Sequence, residues 1–156
     1  MPEKLEVYTD TNHAGCIRTR KSTNGGLVLH GVHLLKSWSS TQAVVALSSG
    51  ESEYYGLVKG VSEALGIRSV LGDWRQAREI TIWTDSSAAK GIASRVGLSK
   101  RTRHIAVHHL WIQERVESGD IQVKKVAGEK NPADIATKYL PQEAMNRHLD
   151  KLPVPL

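Results

Sequence analysis

Two short segments of the sequence nearly repeat each other, at residues 7–10 and 82–85, and both end in an aspartate. Each aspartate follows an alternating run of β-branched and aromatic residues, which is typical of a strand. If the two strands lie side by side in the same direction, Asp10 and Asp85 emerge at one edge of the sheet, about 4.8 Å apart. Carboxylates that close raise each other's pKa unless a cation lies between them, and Mg²⁺ prefers such oxygen ligands. The pair therefore predicts a metal site.

Two further carboxylates can join this pair. Asp134 comes three residues after Asn131, which we expect to cap the last helix, and a helix N-terminus stabilises an anion there. A plain capping role is the alternative for Asp134. Glu51 and Glu53 both lie early in a predicted long helix, but residues two apart on a helix point to different sides. Only one of them can reach the site, and the residue pattern does not choose between them.

Carboxylates without a cysteine or histidine cluster favour Mg²⁺ or Mn²⁺ over zinc. Cys16 is the only cysteine, so an intramolecular disulfide is impossible and a thiolate zinc site is disfavoured. Two divalent ions about 3.5–4 Å apart can activate a water and stabilise the leaving oxygen of a phosphodiester. The acidic residues therefore indicate cleavage of a nucleic-acid backbone.

The basic residues suit a polyanionic partner, since the net charge is +5 and the pI is about 9.4. Simple solubility is the alternative reason for such a charge. Their positions favour a partner, because two basic groups follow the aspartates along the chain, as a phosphate-tracking surface near a metal site requires. The first group is Arg18, Arg20 and Lys21, and the second is Arg95, Lys100, Arg101, Arg103 and His104.

The hydrophobic pattern predicts the elements that position these residues. We expect an α/β fold in the order β-β-β-α-β-α-α-β-α, with a mixed sheet and helices on both faces. The long helix after the third strand allows the fourth strand to lie parallel to the first. The predicted strands are 4–10, 26–31, 33–39, 79–85 and 121–127. Three helices are predicted at 86–94, 104–117 and 142–150. Two more begin near residues 48 and 131, and the first of these has an optional bend or break at Gly66.

The chain length and composition set the protein class. At 156 residues with 40% apolar content, we expect one domain at 1–141 and a C-terminal tail with a short helix at 142–156. No apolar run approaches the roughly 18 residues of a membrane span. No signal peptide precedes the first strand, and the single cysteine suits a reducing compartment, so we expect an intracellular protein.

Seven short blocks in a fixed order carry a family resemblance. They lie at residues 8–10 with 14–16, 20–23, 38–40, 48–54, 84–86, 99–105 and 131–138. Together the blocks resemble the RNase H domain of copia-type retrotransposon polyproteins over about residues 6–141.

The resemblance implies an RNase H-like fold with a five-stranded mixed sheet whose first three strands are antiparallel. It also implies a metal-dependent endonuclease that cuts the RNA strand of an RNA–DNA hybrid and leaves 3′-hydroxyl and 5′-phosphate ends. The acidic tetrad of the family maps onto Asp10, Glu53, Asp85 and Asp134, and so favours Glu53 over Glu51. Asp10 and Asp85 would ligate both of two Mg²⁺ ions, Glu53 one and Asp134 the other, with Mn²⁺ as a substitute.

The same resemblance implies an upstream reverse transcriptase module and a cytoplasmic, virus-like-particle location. As an isolated domain we expect a monomer. Two other functions stay open: a nucleic-acid-binding module of the same fold with weak or lost cleavage, and a different nuclease of the fold, such as an integrase-like or junction-cutting enzyme.

Several residues near the predicted site have two interpretations. Cellular type 1 RNases H carry a histidine in the loop before the last helix, and it is thought to help product release. The corresponding loop here lacks a histidine. Either Glu129 or Lys130 replaces it, or product release proceeds without such help. His13 either approaches substrate or lies in a surface loop. His104 contacts a phosphate or caps its helix, and Ser86 is expected to cap the helix after the fourth strand.

Overall fold

Five strands form one mixed sheet in the computed structural model, which describes residues 4–73, 79–97, 99–100, 102–105 and 109–152. The strands are β1 (Lys4–Asn12), β2 (Thr23–His30), β3 (His33–Thr41), β4 (Glu79–Thr84) and β5 (Ile121–Lys125). Their spatial order is β3-β2-β1-β4-β5. The first three strands pair antiparallel, whereas β4 pairs parallel with both β1 and β5. The predicted mixed sheet is confirmed.

Four α-helices lie within the described residues: α1 (Ser49–Asp73), α2 (Ser87–Ala93), α3 (Trp111–Glu117) and α4 (Gln142–Leu149). α1 runs without interruption through Gly66, so the break considered there does not occur. None of these helices combines the length and apolar character that a membrane span requires. The short helix predicted in the C-terminal tail is confirmed as α4, while the domain boundary at 141 stays a prediction.

The last predicted helix, which begins after Asn131, is a short 3-10 segment, Pro132–Ala136, and not a full α-helix. It ends before Thr137, whose φ of −125° lies outside the helical range and whose side chain donates a hydrogen bond to the Asp10 carboxylate. The segment packs over Gly25 of β2, where an added Cβ atom would lie 2.5 Å from Thr137 Cγ2.

The helix predicted at 104–117 is wrong in its first part. Residues 102–105 form turns, residues 106–108 lie outside the described part of the chain, and the regular helix begins at Trp111. Local hydrogen bonds explain the turn, because the Ser99 amide donates to Thr102 Oγ1 at 2.9 Å and the Ile105 amide donates to the Thr102 carbonyl at 3.0 Å. Gly119, with φ of 76°, follows the end of α3 as predicted.

α1 lies unusually close to β1. A Cβ atom at Gly60 would lie 2.5 Å from Thr9 Cγ2, and one at Gly56 would lie 2.6 Å from Thr11 Cγ2. Only glycine permits this approach, so these two positions fix the height of α1 over the sheet. Because side chains alternate along a strand, Asp10 points to the opposite face, toward the Pro132–Ala136 segment.

Candidate metal centre

Three aspartates from distant parts of the chain converge at one edge of the sheet. Asp10, Asp85 and Asp134 each offer a carboxylate oxygen, and these oxygens all lie within 4.8 Å of one another. Asp10 belongs to β1, and Asp85 follows β4 directly. The parallel pairing brings them together, since Tyr8 and Trp83 are register partners and each aspartate lies two residues further on.

Asn131 attaches the third aspartate to β1. Its side-chain Nδ2 donates to the Thr9 carbonyl at 2.9 Å, while its Oδ1 accepts from the Ala133 amide at 3.2 Å. The side chain therefore caps the 3-10 segment and ties it to the strand at the same time. Since Asn131 is fully buried, both bonds are shielded from water, and Asp134 is held beside Asp10.

Glu53 points to the aspartates and Glu51 does not. Glu53 Oε1 accepts from the Thr11 amide at 3.3 Å, which places its carboxyl at the end of β1. Glu53 Oε2 is buried and forms no hydrogen bond within the part of the chain that the structure describes. Glu51 instead accepts from Tyr55 at 2.8 Å, pairs with His104 and accepts from the Leu47 amide. The rotation of α1 therefore separates the two glutamates, as helical geometry requires.

The carboxyls of Asp10, Glu53 and Asp85 hold their protons more tightly than usual. Burial raises the pKa of Asp10 to about 6, although the Thr137 hydrogen bond and the Lys138 ammonium lower it. Burial, followed by the negative charge of Asp10, raises the pKa of Glu53 to about 8. Burial also raises the pKa of Asp85 against the effect of Lys138. Hard carboxylate oxygens of this kind fit a divalent cation such as Mg²⁺ or Mn²⁺.

Comparison with known sequences places the chain among retrotransposon proteins. No protein-family model matches it. It is 32% identical over 139 residues to the retrovirus-related Pol polyprotein from transposon TNT 1-94 of Nicotiana tabacum, and 33% identical over 153 residues to that from transposon RE1 of Arabidopsis thaliana. These alignments cover 88% and 96% of this chain but 10% of each relative, so the chain spans about a tenth of the length of the curated relatives it matches.

Solved structures share the fold. The N-terminal RNase H domain of Rv2228c from Mycobacterium tuberculosis matches with a TM-score of 0.60 and 18% identity, covering 94% of this chain and 96% of that chain. LC11-RNase H1, solved in complex with an RNA/DNA hybrid, matches with a TM-score of 0.57 and 17% identity over 94% and 99%. The prototype foamy virus protease–reverse transcriptase matches with a TM-score of 0.53 and 14% identity, over 98% of this chain and 21% of that chain.

The chain belongs to the RNase H domains of copia-type retrotransposon Pol polyproteins. The family predicted from the seven sequence blocks is thus confirmed, and so is the RNase H-like fold. The identities to solved structures are low, so those structures establish the fold of this RNase H domain and not its chemistry.

The structure describes all but one of the residues that were predicted to contact nucleic acid. Arg18, Arg20, Lys100 and Arg103 are exposed, Lys21 is half-buried, and Arg101 lies outside the described residues. Their role in this RNase H domain stays a prediction. His104 has a protein partner, because its Nε2 lies 2.6 Å from Glu51 Oε2. It thereby joins the turn at 102–105 to the first turn of α1.

The remaining predicted residues border the site. Ser86 caps α2 by accepting from the Ala89 amide at 3.1 Å, as the sequence predicted. His13 and Glu129 are exposed, the first in a turn after β1 and the second in the 3-10 segment Gly128–Lys130. That segment reaches the site, since a Cβ atom at Gly128 would lie 3.3 Å from Asp85 Oδ2.

The sequence analysis missed two residues that contact the acidic cluster of this RNase H domain. Thr137 donates to Asp10 Oδ2, and the Lys138 ammonium lies 2.7 Å from Asp134 Oδ1 and 3.3 Å from Asp10 Oδ2. The ion pair between Lys138 and Asp134 could have been predicted from the sequence, because a lysine four residues after an aspartate favours an ion pair on a helix. The contact with Asp10, 128 residues away, depends on the tertiary fold.

Proposed function

We propose that this RNase H domain is an endoribonuclease that hydrolyses the RNA strand of RNA–DNA hybrids with two divalent cations, Mg²⁺ or Mn²⁺. The products would carry 3′-hydroxyl and 5′-phosphate ends. One observation carries the proposal: three aspartate oxygens lie within 4.8 Å of one another, and the buried Glu53 carboxyl is close enough for Asp10 and Asp85 to raise its pKa.

The family resemblance assigns the roles of the acidic residues. Asp10 and Asp85 would ligate both ions, with Glu53 on one ion and Asp134 on the other. Bound divalent ions lower the pKa of an attacking water and offset charge on the leaving oxygen. Glu53, with its pKa of about 8, has to release its proton when a cation binds.

Hydrogen bonds within the chain fix this arrangement. Thr137 orients the Asp10 carboxylate, Asn131 fixes the segment that bears Asp134, and the Thr11 amide fixes Glu53. Carboxylates whose orientation is fixed in this way favour catalysis, because they need little reorientation during the reaction.

The proposed substrate is supported by charge and by the family. The exposed basic residues Arg18, Arg20, Lys100 and Arg103 would contact phosphates, and contacts to 2′-hydroxyl groups in the wide minor groove would distinguish RNA from DNA. A neighbour of the same fold, LC11-RNase H1, has been solved with an RNA/DNA hybrid.

The partner and location of the domain are also proposals. The chain corresponds to a tenth of the polyproteins that it matches, and a foamy virus neighbour combines the same fold with a protease–reverse transcriptase. We propose an upstream reverse transcriptase module in the parent polyprotein, which these similarities support. An intracellular, cytoplasmic particle is proposed as the location because the family resemblance implies it. The isolated domain would be a monomer.

A cleavage assay tests the proposal. A hybrid with a labelled RNA strand is incubated with the chain in Mg²⁺, in Mn²⁺ and in a chelator, beside duplex DNA and a four-way junction. We expect cleavage of the RNA strand of the hybrid alone, only with a divalent cation, and extension of the cut 3′ ends by a polymerase.

Two variants connect this activity to the site. Asp10→Asn and Asp85→Asn should abolish cleavage with little change in the circular dichroism spectrum. Asp73→Asn is the matched control, because Asp73 lies 20 residues after Glu53 on α1, about 30 Å along the helix. Full activity of either site variant would refute the site, and binding of hybrid without product would favour the binding module instead.

A further inference from the structure

The Lys138 ammonium lies on the acidic cluster itself. It is 2.7 Å from Asp134 Oδ1, 3.3 Å from Asp10 Oδ2 and 3.4 Å from Asp10 Oδ1. Burial lowers the pKa of Lys138, but the two carboxylates raise it by more, so the group carries its positive charge. The same oxygens are the ligands of a divalent cation in the proposed function.

Lys138 holds its position through its backbone as well as its head group. Its amide donates to the Asp134 carbonyl at 3.0 Å, whereas its side chain is 42% exposed. The ammonium can therefore swing into solvent while the backbone of the segment stays in place. The Thr137 bond to Asp10 and the Asn131 bond to β1 involve no atom of Lys138, so neither requires the ammonium.

We propose that the Lys138 ammonium and a divalent cation compete for Asp10 and Asp134, so that cation binding expels the ammonium from the cluster. The inference rests on the proposed function, since it takes these carboxylates as cation ligands. Two positive groups that share the same oxygens repel each other in a partly buried site. Lys138 thus neutralises the carboxylates without a cation and sets the concentration at which a cation displaces it.

Removal of the ammonium should therefore strengthen cation binding. A cation within about 4–6 Å of a carboxylate weakens proton binding to it by about tenfold to a thousandfold, and a metal cation at the same oxygens meets the same repulsion. We expect Lys138→Met, which keeps the length and apolar stem of the side chain, to bind Mn²⁺ at least about tenfold more tightly than the wild type. Lys90→Met is the control for net charge, because Lys90 on α2 takes part in none of the ion pairs found among the described residues.

The experiment is calorimetric titration of the whole chain with Mn²⁺, together with thermal unfolding in a chelator and in saturating Mn²⁺. Lys138→Met should unfold at a lower temperature than Lys90→Met in the chelator and recover this deficit when Mn²⁺ is added. Unchanged or weaker Mn²⁺ binding by Lys138→Met, relative to Lys90→Met, would overturn the competition. Absence of Mn²⁺ binding by the wild type would overturn the proposed function itself, and the competition with it.

A second measurement uses the unmodified sequence and does not depend on how a variant folds. Lysines are acetylated in the native chain with and without Mg²⁺, and the extent at each site is read by peptide mass spectrometry. Labelling of Lys138 relative to Lys90 should rise severalfold with Mg²⁺, because the displaced ammonium becomes accessible. Equal labelling of Lys138 in a cation-bound and a chelated sample would show that the ammonium stays in place, which contradicts the proposal.

Discussion

The close contact between α1 and β1 can be tested by a substitution that adds one methyl group, Gly60→Ala. Replacing Gly60 with alanine would place a Cβ atom 2.5 Å from Thr9 Cγ2 and 3.2 Å from Val7 Cγ1. Both strand residues are fully buried in the central strand, so α1 has to shift. Overpacking of this kind costs about 1–3 kcal/mol. The higher helix propensity of alanine offsets about 0.5–1 kcal/mol of that cost.

Gly66→Ala is the matched control, since it makes the same change in the same helix with no described atom within 4 Å of the new Cβ. It should raise the free energy of unfolding by about 0.5–1 kcal/mol. The propensity gain is common to both variants, so the difference between them isolates the contact with β1, and we expect about 1–3 kcal/mol. Urea unfolding followed by far-ultraviolet circular dichroism measures this difference, provided that the m-value is unchanged.

The same pair of variants tests what positions Glu53. Glu53 lies seven residues before Gly60, about two helical turns, so a shift of α1 also moves its carboxyl away from Asp10. Mn²⁺ binding should weaken in Gly60→Ala and stay unchanged in Gly66→Ala. Equal unfolding free energies of the two variants would refute the close contact. A destabilised Gly60→Ala with normal Mn²⁺ affinity would refute its link to the site.

Three further predictions concern the acidic cluster and are measured by urea unfolding in a chelator. The pKa of Asp10 is raised from 3.8 to about 6, so its contribution to stability is present below pH 3.8 and is lost as the pH rises through 6. The loss is about 3 kcal/mol at neutral pH, and Asp10→Asn should abolish this part of the pH dependence. Thr137→Val removes the hydroxyl that donates to Asp10 and should destabilise the fold by about 1.5–3 kcal/mol at neutral pH, whereas exposed Thr41→Val should not. Asn131→Ala removes both the buried bond to the Thr9 carbonyl and the cap on the Ala133 amide and should cost roughly 2–3 kcal/mol, against about 0.5 or less for exposed Asn146→Ala.

The elements with strong local signals were predictable from the sequence. β4 and α2 begin and end within about a residue of the predicted bounds, because an alternating strand is followed at once by the Ser86 cap. The parallel pairing of β1 and β4 followed from the long helix that precedes β4. The convergence of Asp10 and Asp85 was therefore foreseeable, since it needed only the direction and adjacency of two strands.

The features of the site that could not be predicted from the residue pattern depend on contacts between distant segments. The choice between Glu51 and Glu53 is a matter of how α1 is rotated over the sheet, and the contacts of Gly56 and Gly60 with β1 determine that rotation. Family resemblance favoured Glu53, but the helical pattern alone did not. The turn at 102–105 depends on local and distant contacts together, because the Ser99–Thr102 hydrogen bond forms it and the pairing of His104 with Glu51, 53 positions apart, holds it against α1.

Stability and function make opposite demands on Asp10. A cation requires the ionised carboxylate, yet burial makes that form the unfavourable one, as its raised pKa shows. The groups that stabilise the ionised Asp10 carboxylate lie within eight residues, 131–138. Asn131 anchors this segment to β1, Asp134 supplies a third carboxylate, Thr137 a hydroxyl donor and Lys138 an ammonium. The donor and the ammonium both lower the pKa of Asp10, but only the ammonium competes with a cation. The hydroxyl can therefore stay in place throughout a reaction cycle, whereas the ammonium has to leave, which is why we expect Thr137 and Lys138 substitutions to change Mn²⁺ affinity in opposite directions.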